Sequence, residues 1–180
     1  MVRAVIFDMD GLMFDTERLS FRLWQEVCAE HGRCFTMETM ARLCGGTPTV
    51  GRQVFYETFG ANDPDFSYEY CLAETRVRLA KEFEENGVPL KAGLGELLRF
   101  LQQHHYPAAV ASSSPTEYVR QYVQQAGLAH YFSAYVGAGD FTRSKPDPEC
   151  FLQAAKKLSS DPTVCLVLED SARGILLAPV

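Results

Sequence analysis

Asp8 and Asp10 are two acids one residue apart, directly after the short apolar run Val5, Ile6, Phe7. The run reads as a buried strand, and Gly11 as its break. Within a strand, side chains at i and i+2 share a face. At a strand end the chain can curl instead, leaving the second acid free to turn toward whatever the first engages. Two carboxylates this close repel unless a cation or a shared proton offsets them. Such a pair offers a nucleophile with an acid beside it; an acidic turn after a strand is the plain alternative.

Three further apolar runs end in reactive groups. Ala108–Ala111 leads into Ser112, Ser113 and Ser114. Ala134–Gly137 is followed, past Gly139 and Asp140, by Ser144, Lys145, Pro146, Asp147 and Pro148. Val164–Leu168 leads into Glu169, Asp170 and Ser171. An acidic pair, a hydroxyl, a lysine and a second acidic pair thus fall at or just beyond strand ends. Ligands of open α/β sheets bind at the carboxyl ends of their strands.

In this order the Asp-x-Asp-Gly, Ser, Lys-Pro and Glu-Asp elements resemble the four motifs of the haloacid dehalogenase-like (HAD) hydrolases. The stretches Phe7–Glu17, Ser144–Pro148 and Leu168–Ser171 are similar to the β-phosphoglucomutase-like phosphatase branch, and the resemblance covers nearly the whole chain. It implies an α/β fold, a Rossmann-like parallel sheet flanked by helices with an inserted four-helix cap domain that closes over the active site.

The resemblance also assigns roles. Asp8 would be the nucleophile, forming an aspartyl-phosphate. Asp10 would be the general acid and base. Ser112, with Ser113 beside it, would bind the phosphoryl group, helped by the amides that open the following helix. Lys145 would neutralise phosphate charge and bridge it to Asp8. Magnesium (Mg2+) would be held by Asp8, Asp10 (through its backbone carbonyl), Glu169 and Asp170, since it takes oxygen ligands and keeps several waters. Each has a bland counterpart: a turn former for Asp8, a loop-stabilising acid for Asp10, a surface charge for Lys145, a helix-start signal for Glu169–Ser171. Ser113 and Ser114 also read as loop and cap. Gly45, Gly46 and Thr47 fall where the family places a specificity loop, and read equally as a glycine turn.

The elements that must position these groups follow from periodicity. Leu19, Leu23, Trp24, Val27, Cys28 and His31 recur at helical spacing, and Gly32 stops them. Helices are expected over 37–43, 52–59 and 68–86, the last with Leu72, Leu79 and Phe83 inward. These four form the insertion, giving a catalytic core of residues 1–14 and 90–180 and a cap of residues 15–89. From Leu94 onward helices alternate with strands, which argues for right-handed βαβ units on a parallel sheet. Ser114, Pro115 and Glu117 spell an N-cap, a first-turn proline and a capping-box acid. Asp147 and Pro148 repeat the device for a helix to about Leu158.

The chain has 180 residues, enough for a core domain plus a small accessory one. A net charge of −6 argues against nucleic-acid polymers and anionic membranes as partners. It leaves room for an anionic small substrate, because a bound divalent cation reverses the field locally. Six cysteines without CxxC spacing read as buried free thiols in a reducing compartment. With apolar runs too short to span a bilayer and no signal peptide, the expected location is the cytoplasm.

The reading on these grounds is a Mg2+-dependent phosphomonoester hydrolase acting on a small phosphorylated metabolite, a sugar phosphate or a nucleotide. The alternatives are a β-phosphoglucomutase-like phosphomutase, a phospho-accepting receiver module, and a shortened variant with little catalysis. Against the mutase, Ser20 and Thr49 stand where the mutases carry a cap histidine and arginine, although Arg52 lies one turn away. The chain ends soon after the fourth motif, with Ser171–Ile175 starting a helix and Pro179 ill suited to continuing it. The strand before it is expected to be an exposed edge that lowers stability and invites self-association.

Overall fold

Ala4–Phe7 (β1) is buried along its whole length, as expected of a strand covered on both faces of a parallel sheet. The computed structural model describes residues 1–44, 47–60 and 66–171. After β1 come four helices, α1 (Thr16–Glu30), α2 (Met37–Leu43), α3 (Pro48–Phe59) and α4 (Tyr68–Asn86). The alternating part then runs α5 (Leu94–Gln103), β2 (Ala108–Pro115), α6 (Thr116–Gln125), β3 (Ala134–Ala138), α7 (Glu149–Lys157) and β4 (Cys165–Leu168). The chain divides into two compact units, Met1–Asp15 with Gly87–Val180, and Thr16–Asn86.

The first unit is built on a parallel sheet of order β3-β2-β1-β4. The chain leaves β1, builds outward through β2 and β3, then crosses back to place β4 on the other side of β1. That reversal puts the carboxyl end of β1 at the switch point where open α/β sheets form their crevice. One face is covered by α7, whose Cys150, Phe151, Ala154 and Ala155 pack on Ile6, Ala109, Ala111, Ala134 and Val136. The alanines on both sides permit a close helix–sheet approach. Removing one of the larger side chains from such a core costs roughly 2–5 kcal/mol.

Between Ala111 and Pro115 the pairing of β2 with β3 slips. The chain takes four residues there, against two from Val136 to Ala138 on β3. The surplus is a β-bulge that throws Ser112, Ser113 and Ser114 out of the ladder. Gly137 makes room for it, because a Cβ there would lie 2.5 Å from the Thr116 nitrogen and 2.6 Å from the Ser114 carbonyl oxygen. Asp140 fastens the two strands, accepting from the Gly137 amide at 3.0 Å and the Thr116 hydroxyl at 2.8 Å. Its other oxygen takes the Lys157 ammonium at 3.0 Å.

This bulge corrects one expectation. Ser114 does not cap α6. The strand continues through Pro115, which occupies the cap position without a side-chain bond, and the helix starts at Thr116. At α7, too, a proline, Pro148, holds the cap position and the helix starts at Glu149, one residue later than the cap-then-proline pattern implies, although Asp147 still accepts from the Glu149 amide at 3.0 Å.

The second unit has its own core. Trp24 stacks on Phe35 with centroids 5.2 Å apart, and Phe55, Phe66 and Tyr68 complete the aromatic cluster. The buried stripe of α4 is Cys71, Thr75, Leu79 and Phe83, spaced by four; Leu72, expected inward, is half-buried beside it. Helix α3 starts four residues earlier than its apolar pattern implied, because Thr47 caps the Val50 amide and Pro48 supplies the first helical residue. Gly45 and Gly46 lie outside the described residues. Cys28, Cys71 and Cys150 are buried thiols, whereas Cys34 and Cys44 are exposed.

Among the described residues β4 has no strand on its outer side, and Leu166 and Val167 are exposed. The expected helix from Ser171 to Ile175, and Pro179, fall beyond the described residues. No described helix is long and apolar enough to cross a membrane.

Candidate active site

Strand register brings the two acidic pairs level. Phe7 pairs with Leu168, and the Asp8 amide donates to the Leu168 carbonyl at 2.9 Å, so Asp8 and Glu169 leave the sheet side by side. On the other flank Phe7 pairs with Val110, which sets the serine bulge beside the same end of β1. Lys145, from the connection between β3 and α7, completes the group. Its Nζ donates to Asp8 Oδ1 at 2.5 Å and to Glu169 Oε2 at 2.6 Å, and stands 4.8 Å from the Phe151 ring centroid.

Asp8, Glu169 and Asp170 each present a carboxylate oxygen within 4.8 Å of the others. Asp170 leans on the bare Cα of Gly11, where a Cβ would sit 2.2 Å from its Oδ2. Gly11 also has φ +85°, a left-handed conformation that disfavours any side chain. Glu169 is held from behind, its Oε1 accepting from the Ser171 amide at 3.0 Å and the Ser171 hydroxyl at 2.6 Å. Three carboxylates face one ammonium here. Close-set hard oxygen donors with an unbalanced negative charge fit a divalent cation such as Mg2+.

Electrostatics follow the burial. The Asp8 carboxyl is raised to about 7, desolvation and the Glu169 charge together outweighing the downward pull of Lys145. Burial disfavours the Lys145 charge, but Asp8 and Glu169 outweigh it and hold the ammonium above its ordinary value. Glu169 is pushed up by burial and, more strongly, down by Lys145 and Ser171, ending below the usual range.

Asp10 is held by the serine bulge. Its Oδ2 accepts from the Ser112 hydroxyl at 3.3 Å and the Ser114 hydroxyl at 3.1 Å, and its carboxylate is not one of the close-set three. Ser112 is buried, and its oxygen also accepts from the Ser114 amide at 3.0 Å. Ser113 is exposed at the crest of the bulge. Six of the seven expected site residues therefore fall into two sets of contacts, Asp8, Lys145, Glu169 and Asp170 in one and Asp10 with Ser112 in the other. Ser114 and Gly11 join them with parts the sequence did not signal. For Ser114 the cap signature concealed it; for Gly11 the position next to Asp10 was the available hint.

Residues 5–179 match the family described as haloacid dehalogenase-like hydrolase. A phosphorylated carbohydrates phosphatase of Thermotoga maritima is 29% identical over 97% of this chain and 79% of its own. A fructose-1-phosphate phosphatase of Escherichia coli is 30% identical over 97% of this chain and 90% of its own. Among solved structures, a β-phosphoglucomutase from Clostridium difficile superposes with a TM-score of 0.78 at 22% identity, covering 98% of this chain and 81% of that one.

Proposed function

Because the chain belongs to the haloacid dehalogenase-like hydrolase family and is a phosphatase of that family, we propose that it hydrolyses the monoester of a small phosphorylated sugar with the help of Mg2+. The observation that carries the reading is Lys145 bridging Asp8 and Glu169 beside Asp170, at the switch point of the sheet.

Asp8 is the nucleophile. One of its oxygens attacks phosphorus as the bond to the sugar oxygen breaks, and Asp10 gives its proton to that oxygen. The phosphoryl group is then carried on Asp8. Water attacks the same phosphorus, Asp10 takes back a proton, and the bond to Asp8 breaks. The products are the free sugar and inorganic phosphate, with both acids in their starting states. Ser112 donates a hydrogen bond to a phosphoryl oxygen, and Lys145 holds Asp8 in place while offsetting charge. Asp8, Glu169 and Asp170 would hold Mg2+, and the bound ion would supply the positive charge that lets a phosphate dianion approach three carboxylates.

Hydrolysis is favoured over a mutase. Ser20 and Thr49 supply no imidazole or guanidinium at the positions where the resemblance places them. Arg52, the nearby cation, pairs with Glu69 at 2.7 Å. The test is phosphate release from a panel of sugar phosphates with Mg2+, with Asp8→Asn as control. Release by the wild type and not by the variant is expected; no release from any sugar phosphate, or equal release by both proteins, overturns the reading.

A further inference from the structure

We propose that Ser114 is the positioning residue of Asp10, holding its carboxyl in register while Ser112 serves the phosphoryl group. The proposal rests on the hydrolase reading above. It starts from a proton count. Asp10 Oδ2 receives two hydroxyls, Ser112 at 3.3 Å and Ser114 at 3.1 Å. A serine hydroxyl has one proton to give. When Ser112 turns that proton to a phosphoryl oxygen, its bond to Asp10 is lost, whereas the Ser114 hydroxyl can stay on the carboxylate.

The fold prepares Ser114 for this. Its hydroxyl is not spent on capping α6, where Pro115 holds the cap position without a side-chain bond. The bulge turns it instead toward a partner 104 residues away in sequence. The bulge is in turn pinned: the Ser114 amide donates to Ser112, the Ser114 carbonyl packs where Gly137 lacks a Cβ, and Thr116 is tied to Asp140. A donor on a loop fastened at so many points holds its acceptor in one orientation. Proton delivery to a leaving oxygen depends on that orientation, and small misplacements are costly.

The consequence is selective. A positioned acid matters when the leaving group is a sugar alkoxide, which cannot depart without a proton. It matters little when the leaving group is p-nitrophenolate, a stable anion. The experiment compares kcat/KM of wild type and Ser114→Ala on the sugar phosphate of that panel hydrolysed fastest and on p-nitrophenyl phosphate, since this ratio reports the step in which the leaving group departs. The expected result is a loss of about tenfold or more on the sugar phosphate with the aryl phosphate within about twofold of wild type. Ser114→Thr, which keeps the hydroxyl, restores most of the loss. Should the alanine variant fail to fold, Ser114→Cys, similar in size and a weak donor, gives the same split. Equal losses on both substrates, or no loss on the sugar phosphate, overturn the role of Ser114. A wild-type chain that releases phosphate from no sugar phosphate of the panel overturns the hydrolase reading itself, and the positioning role with it.

Discussion

Lys145 Nζ lies 2.5 Å from Asp8 Oδ1 across 137 residues of chain, and the same ammonium reaches Glu169 at 2.6 Å. One cation thus ties the end of β1 to the end of β4 from a loop that belongs to neither strand. All three side chains are largely withdrawn from solvent, so the tie is both structural and chemical.

Lys145→Met is therefore expected to do two kinds of damage. Phosphate release falls by about a hundredfold or more, because Asp8 loses its partner and the phosphoryl group its charge. Stability falls by about 3 kcal/mol, the scale for leaving buried charges without their counter-ion. Denaturant unfolding beside the release assay checks both, and an unchanged midpoint would contradict the structural half.

Chelation should silence the enzyme without unfolding it. Asp8, Glu169 and Asp170 crowd together, so adding Mg2+ is expected to raise the melting temperature and removing it to lower it. The same series in Asp170→Asn should show a weaker shift. A melting curve indifferent to Mg2+ in the wild type would remove this site as the cation's seat.

Gly11→Ala probes the floor of that site. A methyl group there meets Asp170 Oδ2 at 2.2 Å, and φ +85° adds backbone strain. The expected cost is about 1–2 kcal/mol of stability from the backbone alone. Displacing Asp170 also raises the Mg2+ concentration needed for half-maximal phosphate release, which a titration reads directly.

Asp140→Asn tests the fastening of the serine bulge through pH. Burial raises the Asp140 carboxyl, but the Gly137 amide, Lys157 and Thr116 outweigh it and hold it below its ordinary value. A carboxyl depressed in the folded state stabilises fully above its unfolded value, near about 4, and loses that contribution as pH falls through the folded value. The variant is expected to be less stable than wild type by about 1 kcal/mol at pH 7. The gap narrows in the acid range below about pH 4. A gap that widened on acidification would contradict the assigned direction.

Much of this site is legible in the amino-acid order. Asp8, Ser112, Lys145, Glu169 and Asp170 each follow an apolar run, and a parallel sheet must bring strand ends together. The helices at 37–43 and 68–86 were equally plain, since their apolar periodicity has clear stops. The apolar spacing of helix α3 implies too late a start, because its first turn is set by Thr47 and Pro48. Apolar spacing alone points Leu72 inward, whereas the packed stripe runs through Cys71, Thr75 and Leu79.

Ser114 marks the boundary between the two kinds of information. The local pattern Ser114, Pro115, Glu117 describes a helix cap, and nothing within a few residues distinguishes a hydroxyl that caps from one that reaches elsewhere. What decides is the slip between β2 and β3, the missing Cβ of Gly137 and the carboxylate of Asp10 on another strand. Amino-acid order alone determined which groups gather at the sheet's carboxyl edge, because strand periodicity and its interruption are local properties. Only the tertiary structure decided which hydroxyl serves which acid, because a hydrogen bond goes to whichever partner the packing of distant segments brings within reach.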